Sequence, residues 1–360
     1  MPGRSRLRTM LAWLWRLPLV VVMALLLFEG FLRLPPFRVG VSPVTYHPAL
    51  GFWHKPNYQG EAFSPCYSVP YSFDAQGLRP SRKKVTGRKA IVIGDSQIEA
   101  IMVQDDLVLH QRLQALLGDR VEVLNYGLGG SGTDLQFLVL KNLVDMDEVG
   151  WVVQLINLDS DVYEANPRQA QPGQRPRARL VFPDGNDLDH YRLIPPGPFG
   201  WGEQFRELFS SFQLYSYTRR ALVPIRRALR RLRNLMAGAP AAATEARADG
   251  AEEPEESEVG QPQESAWTNL LGAVHQTRRL VEQHGGSYLP LVWYRDPLLF
   301  EEWTRRTNRL GLDSLVLPTA LLADGADLAA LSFPCDHHFT AATHDRIAAI
   351  LAKSGLIGPP

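Results

Sequence analysis

Three stretches of this sequence hold residue types suited to nucleophilic chemistry on an acyl group. "IVIGDSQIEA" ends a β-branched run at Gly94-Asp95-Ser96. "NYGLGGSGTD" is a glycine-rich segment starting at Asn125, and "FPCDHHFTAATHDRIAAIL" carries Asp336 and His338 two positions apart. A serine hydroxyl becomes a nucleophile when a base takes its proton, and a third group usually orients that base. A Ser…Asp…His order, with acid and base adjacent in sequence, is one workable triad arrangement. On an extended segment Asp336 and His338 would lean to the same side. Acyl transfer also needs donors for the oxyanion of the tetrahedral intermediate. The Ser96 backbone N–H is one candidate, and glycines let the N–H groups of the second stretch approach a substrate closely. Taken singly, each stretch has a plainer reading: a turn with a capping serine, a tight glycine turn, a pair of surface histidines.

The surrounding elements place these residues. "AIVIGDS" reads as a strand, and "LVLHQRLQALLG" as a helix closing on Gly118. "RVEVLNYG" is a second strand, "TDLQFLVLKNLVDM" a helix and "GWVVQLINL" a third, nearly all-apolar strand. "WTNLLGAVHQTRRLVEQHGG" is a long amphipathic helix followed by the strand "SYLPLVWY", and a last helix spans about 341–353. Strands apolar on both faces and alternating with helices imply a parallel sheet covered on both sides. Ligands sit beyond the carboxyl ends of such strands, where Ser96 falls, at or near a helix start. The lead-in, roughly residues 34–89, is rich in Pro, Tyr and Gly and reads as turns and short strands.

The 38 basic and 38 acidic side chains cancel, which gives no case for nucleic-acid binding. Cys66 and Cys335 have no metal-ligand spacing, so no metal or organic cofactor is implied. In an oxidising compartment two outcomes are open for these thiols, a Cys66–Cys335 bridge or two free cysteines. Arg4, Arg6 and Arg8 precede an apolar stretch from Met10 to Leu32 with no A-x-A cleavage pattern after it. Residues 1–33 therefore read as a cytoplasmic tip and an uncleaved single-pass anchor in the inner membrane, with the rest of the chain in the periplasm. Residues 219–236 contain an arginine-rich segment that is either a solvated helix or one resting on anionic headgroups. Residues 237–264 are rich in Ala, Pro, Gly and Glu and read as a disordered insert.

The sequence resembles the SGNH (GDSL-like) hydrolase superfamily, in its membrane-anchored bacterial branch. The matching stretches are "AIVIGDSQIEAIMV", "VEVLNYGLGGSGTDLQ", "VVQLINLDSDVYEAN" and "DHHFTAATHDRIAAIL", with "YHPALGFWHKPN" and "FDAQGLRP" upstream. The resemblance implies a flavodoxin-like three-layer α/β/α sandwich over about 90–353, and ester hydrolysis or O-acyl transfer as the chemistry. It makes Ser96 the nucleophile, His338 the base, Asp336 its orienting acid and Gly130 an oxyanion donor. Ser160 falls where the family has a second oxyanion residue, an Asn, and Asn157 stands three positions before it. The D-x-H spacing is shorter than the commoner D-x-x-H. The expected substrate is an acylated glycan or another ester of the cell envelope. The competing expectation is an SGNH-fold protein that binds or scaffolds envelope polysaccharide without turnover, and a further one is a membrane-surface assembly factor.

Overall fold

The computed structural model describes residues 3–34, 42–81, 88–165, 177–185, 187–218, 222 and 262–357. The expected basic helix over 219–236 and the insert over 237–264 fall almost wholly outside these residues. The chain divides into two units, one of residues 1–42 and 200–242 and the other of 43–199 and 243–360.

In the first unit, α1 spans Gly3–Leu32, and over residues 17–31 its large apolar side chains face outward, with Leu19 64% and Leu27 70% exposed. Among the described residues no helix is long and apolar enough to cross a membrane. The "MLAWLW" lead-in that the sequence reading counts toward a span lies outside the residues whose side chains are described. Near the end of α1, the Glu29 carboxylate accepts from the backbone N–H groups of Gln213 and Leu214, at the start of a short helix over 213–218.

The second unit begins with the lead-in, which folds as two antiparallel hairpins. One pairs β1 (Val44–His47) with β2 (Gly51–His54), the other β3 (Gln59–Ser64) with β4 (Tyr67–Ser72). The sheet then follows: β5 (Lys89–Ile93), α2 (Ser96–Glu99), α3 (Leu109–Leu117), β6 (Glu122–Asn125), α4 (Thr133–Leu143), β7 (Val149–Asn157) and α5 (Leu158–Glu164). A small hairpin, β8 (Arg179–Val181) with β9 (Arg192–Ile194), comes next. The helix α6 (Trp201–Phe209) belongs to the first unit. The second unit resumes with α7 (Glu264–Gln283), β10 (Ser287–Trp293), α8 (Pro297–Thr307), β11 (Leu315–Val316), α9 (Leu317–Ala323) and α10 (Ala341–Lys353).

The five-stranded sheet is parallel throughout, in the order β11-β10-β7-β5-β6. Counted along the chain this is 2-1-3-4-5, the flavodoxin-like order, with its switch point between β5 and β7. Ala90 to Ile93 and Val152 to Asn157 are buried on both faces, as strands between two helical layers must be. On one face Leu109, Leu113 and Leu117 of α3 pack with Leu317 and Leu321 of α9 and Ile347 and Leu351 of α10. On the other, α4 and α7 cover β5 and β7 through Leu135, Leu138, Ala273 and Val281, and Trp303 of α8 closes the edge with Trp267 and Leu270. The core is thus an α/β fold with a parallel sheet between two helical layers. Its switch point is bordered by the residues after β5 and β7.

Candidate active site

The turn after β5 is held tightly. Asp95 caps α2, its carboxylate accepting from the Gln97 N–H, and Ala100 ends the helix in a left-handed conformation at φ 51°. The helix is a single turn, so its dipole adds little at Ser96. What the turn does supply is Ser96 at the first helical position, whose backbone N–H has no partner within the helix.

His338 reaches Ser96 from the far end of the chain, with Nε2 2.9 Å from the serine Oγ. Its Nδ1 lies 3.4 Å from Asp336 Oδ2, a looser contact than the one Nε2 makes with the serine. The segment carrying this pair is not extended, contrary to the sequence expectation. Pro334 to Asp336 form a turn, and His337 takes a left-handed φ of 60°. The turn lets Phe333 donate to the His338 carbonyl and lets the Asp336 carboxylate accept from the His338 N–H. The Gln97 side chain fixes the segment against the serine turn, accepting from the Phe339 N–H and donating to the His337 carbonyl. Burial works to raise the Asp336 pKa, but the bonds from His338 and Tyr67 and the charge of His338 outweigh it, so the carboxyl sits below its ordinary range.

The glycine loop after β6 packs directly on α2. A Cβ on Gly127 would stand 2.3 Å from the Glu99 backbone nitrogen, so only glycine fits there. Gly130 has a φ of 72°, and its carbonyl accepts from Arg177 at 2.9 Å. Arg177 also donates to the Glu164 carbonyl, tying this loop to the end of α5. Burial pushes Glu164 up to about 7 against the opposing charge of Arg177.

The loop after β7 brings both residues in question to one atom. Asn157 Nδ2 donates to Asp95 Oδ2 at 2.9 Å, and the Ser160 hydroxyl donates to the same oxygen at 3.0 Å. Asn157 is buried, and Ser160 partly so. A hydroxyl has one proton to give, and Ser160 gives it to Asp95; the Asn157 amide keeps a second N–H. Behind them the Asp161 carboxylate accepts from the Asn157 N–H. Burial raises Asp161 well above the carboxylate range, and the nearby Asp95 charge adds to the effect.

No protein-family model matches this chain, and no curated protein does. Among solved structures, a putative lipolytic protein of the G-D-S-L family from Desulfitobacterium hafniense DCB-2 is 10% identical. The alignment covers 75% of this chain and 100% of that one, with a TM-score of 0.40. TesA is 13% identical over 75% of this chain and 100% of its own, with a TM-score of 0.38. A catalytic mutant of Axe2, an acetylxylan esterase from Geobacillus stearothermophilus, is 14% identical over 75% of this chain and 95% of its own, with a TM-score of 0.35. Similarity at this level carries no weight for function, and the site stands on its own geometry.

Three residues of the lead-in, to which the sequence reading gave no role, also build this site. Arg79, 2% exposed, donates to the carbonyls of Glu99, Ala100 and Val103 and pairs with Asp105, holding the end of α2. His54 Nε2 lies 2.7 Å from Glu99 Oε1, and its Nδ1 donates to the Gly77 carbonyl. The Tyr67 hydroxyl donates to Asp336 Oδ2 at 2.5 Å. Beside it, Cys66 and Cys335 are joined in a disulfide, with Cα atoms 6.1 Å apart. Two of the three lie in the quoted "GFWHKPN" and "FDAQGLRP" blocks; Tyr67 had only its place beside a cysteine to signal it.

Proposed function

We propose that this protein is a serine esterase or O-acyltransferase of the SGNH type, acting on acyl esters of cell-envelope glycans. The observation that carries the reading is the 2.9 Å approach of His338 Nε2 to Ser96 Oγ at the switch point of the sheet, with Asp336 behind the imidazole. His338 takes the Ser96 proton as Oγ attacks the ester carbonyl. The negative charge that develops on the carbonyl oxygen is met by the backbone N–H of Ser96, that of Gly130 and the free N–H of Asn157. As the intermediate collapses, His338 gives the proton to the leaving alkoxide and an acyl-serine remains. Water deprotonated by His338 then releases the acid, which is esterase chemistry. A sugar hydroxyl activated in the same way takes the acyl group, which is transferase chemistry. Every proton removed from a nucleophile is returned to a leaving group.

The site lies in an anchored, extracytoplasmic domain on this reading. The arginines before the apolar helix, the outward-facing Leu and Val side chains of α1 and the Cys66–Cys335 bridge support it. A periplasmic position makes esters of envelope polysaccharides the accessible substrate class.

The test is ester turnover by the purified full-length protein. p-Nitrophenyl acetate should be hydrolysed, and Ser96→Ala and His338→Ala should each lower kcat by at least about 10⁴-fold. Adding acylated and free glycans then separates release of acid from transfer to a hydroxyl. Equal turnover by Ser96→Ala and the native protein would leave only the binding reading.

A further inference from the structure

Asp336 is held by more than its own segment. Its Oδ1 accepts from the His338 N–H, while its Oδ2 serves both His338 Nδ1, at 3.4 Å, and the Tyr67 hydroxyl, at 2.5 Å. The tyrosine contact is the shorter one, and it comes from 269 residues away in the chain.

The delivery of Tyr67 is structured at each step. Ser64 and Tyr67 are paired across the two-residue tip of the β3–β4 hairpin, which is formed by Pro65 and Cys66. At that tip Cys66 is bonded to Cys335, the residue immediately before Asp336. The Ser64 hydroxyl lies 2.9 Å from the Cys335 sulfur, and the Tyr67 ring packs on Phe333 with centroids 5.0 Å apart. At the other end of β4 the Ser72 hydroxyl donates to Asp105, which is itself paired with Arg79. The hairpin is therefore fixed at its tip to the acid–base segment and at its base to the loop that follows the serine turn.

We infer that Tyr67 is a positioning residue for Asp336, and that the Cys66–Cys335 bridge is the tether that keeps it there. The His338 N–H holds Oδ1 from within the segment, and the closest contact to Oδ2 comes from outside it, from Tyr67. The phenol holds this oxygen through its 2.5 Å hydrogen bond. Its hydroxyl donates to Asp336 and not to Ser96, so its effect passes through Asp336 and His338 to the rate of proton transfer and not to substrate binding.

The inference rests on the esterase reading, and the two fail differently in one experiment. Turnover of p-nitrophenyl acetate is measured for the native protein, Ser96→Ala, Tyr67→Phe, Asp336→Ala and the Tyr67→Phe/Asp336→Ala double variant, with melting curves for each. Tyr67→Phe keeps the ring against Phe333 and should melt near the native protein. It should lower kcat about tenfold with KM changed less than about twofold. In the Asp336→Ala background the same change should cost less than about twofold, because its target is gone. Cys66→Ala with Cys335→Ala should reproduce the Tyr67→Phe loss, and adding Tyr67→Phe to that pair should take off little more. An equal, additive loss in the Asp336→Ala background, a change in KM alone, or native kcat in Tyr67→Phe would each overturn the inference while leaving Ser96 as nucleophile. Native turnover by Ser96→Ala would instead remove the esterase reading.

Discussion

On the proposed reading, hydrogen counting around Asp95 favours one of two side chains as the last oxyanion donor, and the two candidates can be set against each other. Ser160 donates its one hydroxyl proton to Asp95 Oδ2 at 3.0 Å, and turning it toward an oxyanion would break that bond. A hydrogen bond to a charged group is worth about 1.5–3 kcal/mol, so little net stabilisation would remain. Asn157 Nδ2 spends one of its two N–H bonds on the same carboxylate at 2.9 Å and retains the other. Loss of one oxyanion donor costs about 10²–10³ in kcat, or roughly 2.7–4 kcal/mol. Asn157→Ala should therefore lower kcat on p-nitrophenyl acetate by about 10²–10³-fold, and Ser160→Ala by less than about tenfold. Both variants strip one donor from Asp95, so their melting temperatures should fall together and serve as the internal control. A hundredfold loss in Ser160→Ala with near-native Asn157→Ala would refute the reasoning. It would restore Ser160 as the donor at the position that the family resemblance assigns to it.

Removing the Cys66–Cys335 bridge should lower unfolding free energy by up to about 5–6 kcal/mol, the chain-entropy value for a loop closed over 269 residues. Urea unfolding of the Cys66→Ala/Cys335→Ala variant reads this, and an unchanged midpoint would contradict it. Burial lowers His110 to about 4 and His344 to about 3, so both stay neutral in the folded protein where unfolded histidines, near 6.5, take up protons. From these two groups the unfolded state binds more protons below pH 6.5, so their contribution to stability falls as the pH drops toward 4, while Glu164, held up at about 7, contributes with the opposite sign. At pH 5 the two histidines together should cost about 4 kcal/mol relative to pH 7 or above, and His344→Leu should remove about half of that slope. Equal slopes in native and variant protein would count against it. A reporter fused after Pro360 should be active only outside the cytoplasm, with the protein in the membrane fraction; cytoplasmic activity would reverse the proposed orientation.

The sheet was legible because its strands are buried on both faces. "AIVI" and "WVVQLIN" have no polar face to display, and β5 and β7 fall on them. The last helix matches its expected bounds because Thr340 caps it, accepting from the Thr343 N–H, and His344, Ile347, Ala348 and Leu351 line one face. Ser96, Asp336 and His338 were picked out by residue type and order, and the structure brings the three side chains together. Their geometry was not: the turn at Asp336 depends on His337 at positive φ, which histidine adopts more readily than most residues but which nothing in the spacing of the segment signals. Nor was the role of the lead-in. His54, Tyr67 and Arg79 act on Glu99, Asp336 and the end of α2 through contacts that exist only once the hairpins dock on the sheet. The helices α8 and α9 carried no expectation either, although Asp296 and the adjacent Pro297 give α8 a capping residue and a proline at its first position.

The most direct measurement is covalent labelling of the folded full-length protein with a fluorophosphonate, read by intact mass and peptide mapping. Phosphonylation needs a serine oxygen activated by a neighbouring base, so it reports the Ser96–His338 contact without reference to any natural substrate. One adduct per chain is expected, on the peptide containing Ser96, absent in Ser96→Ala and strongly slowed in His338→Ala. An unlabelled native protein, or an adduct on another serine that persists in Ser96→Ala, would contradict the assignment of Ser96 as the nucleophile.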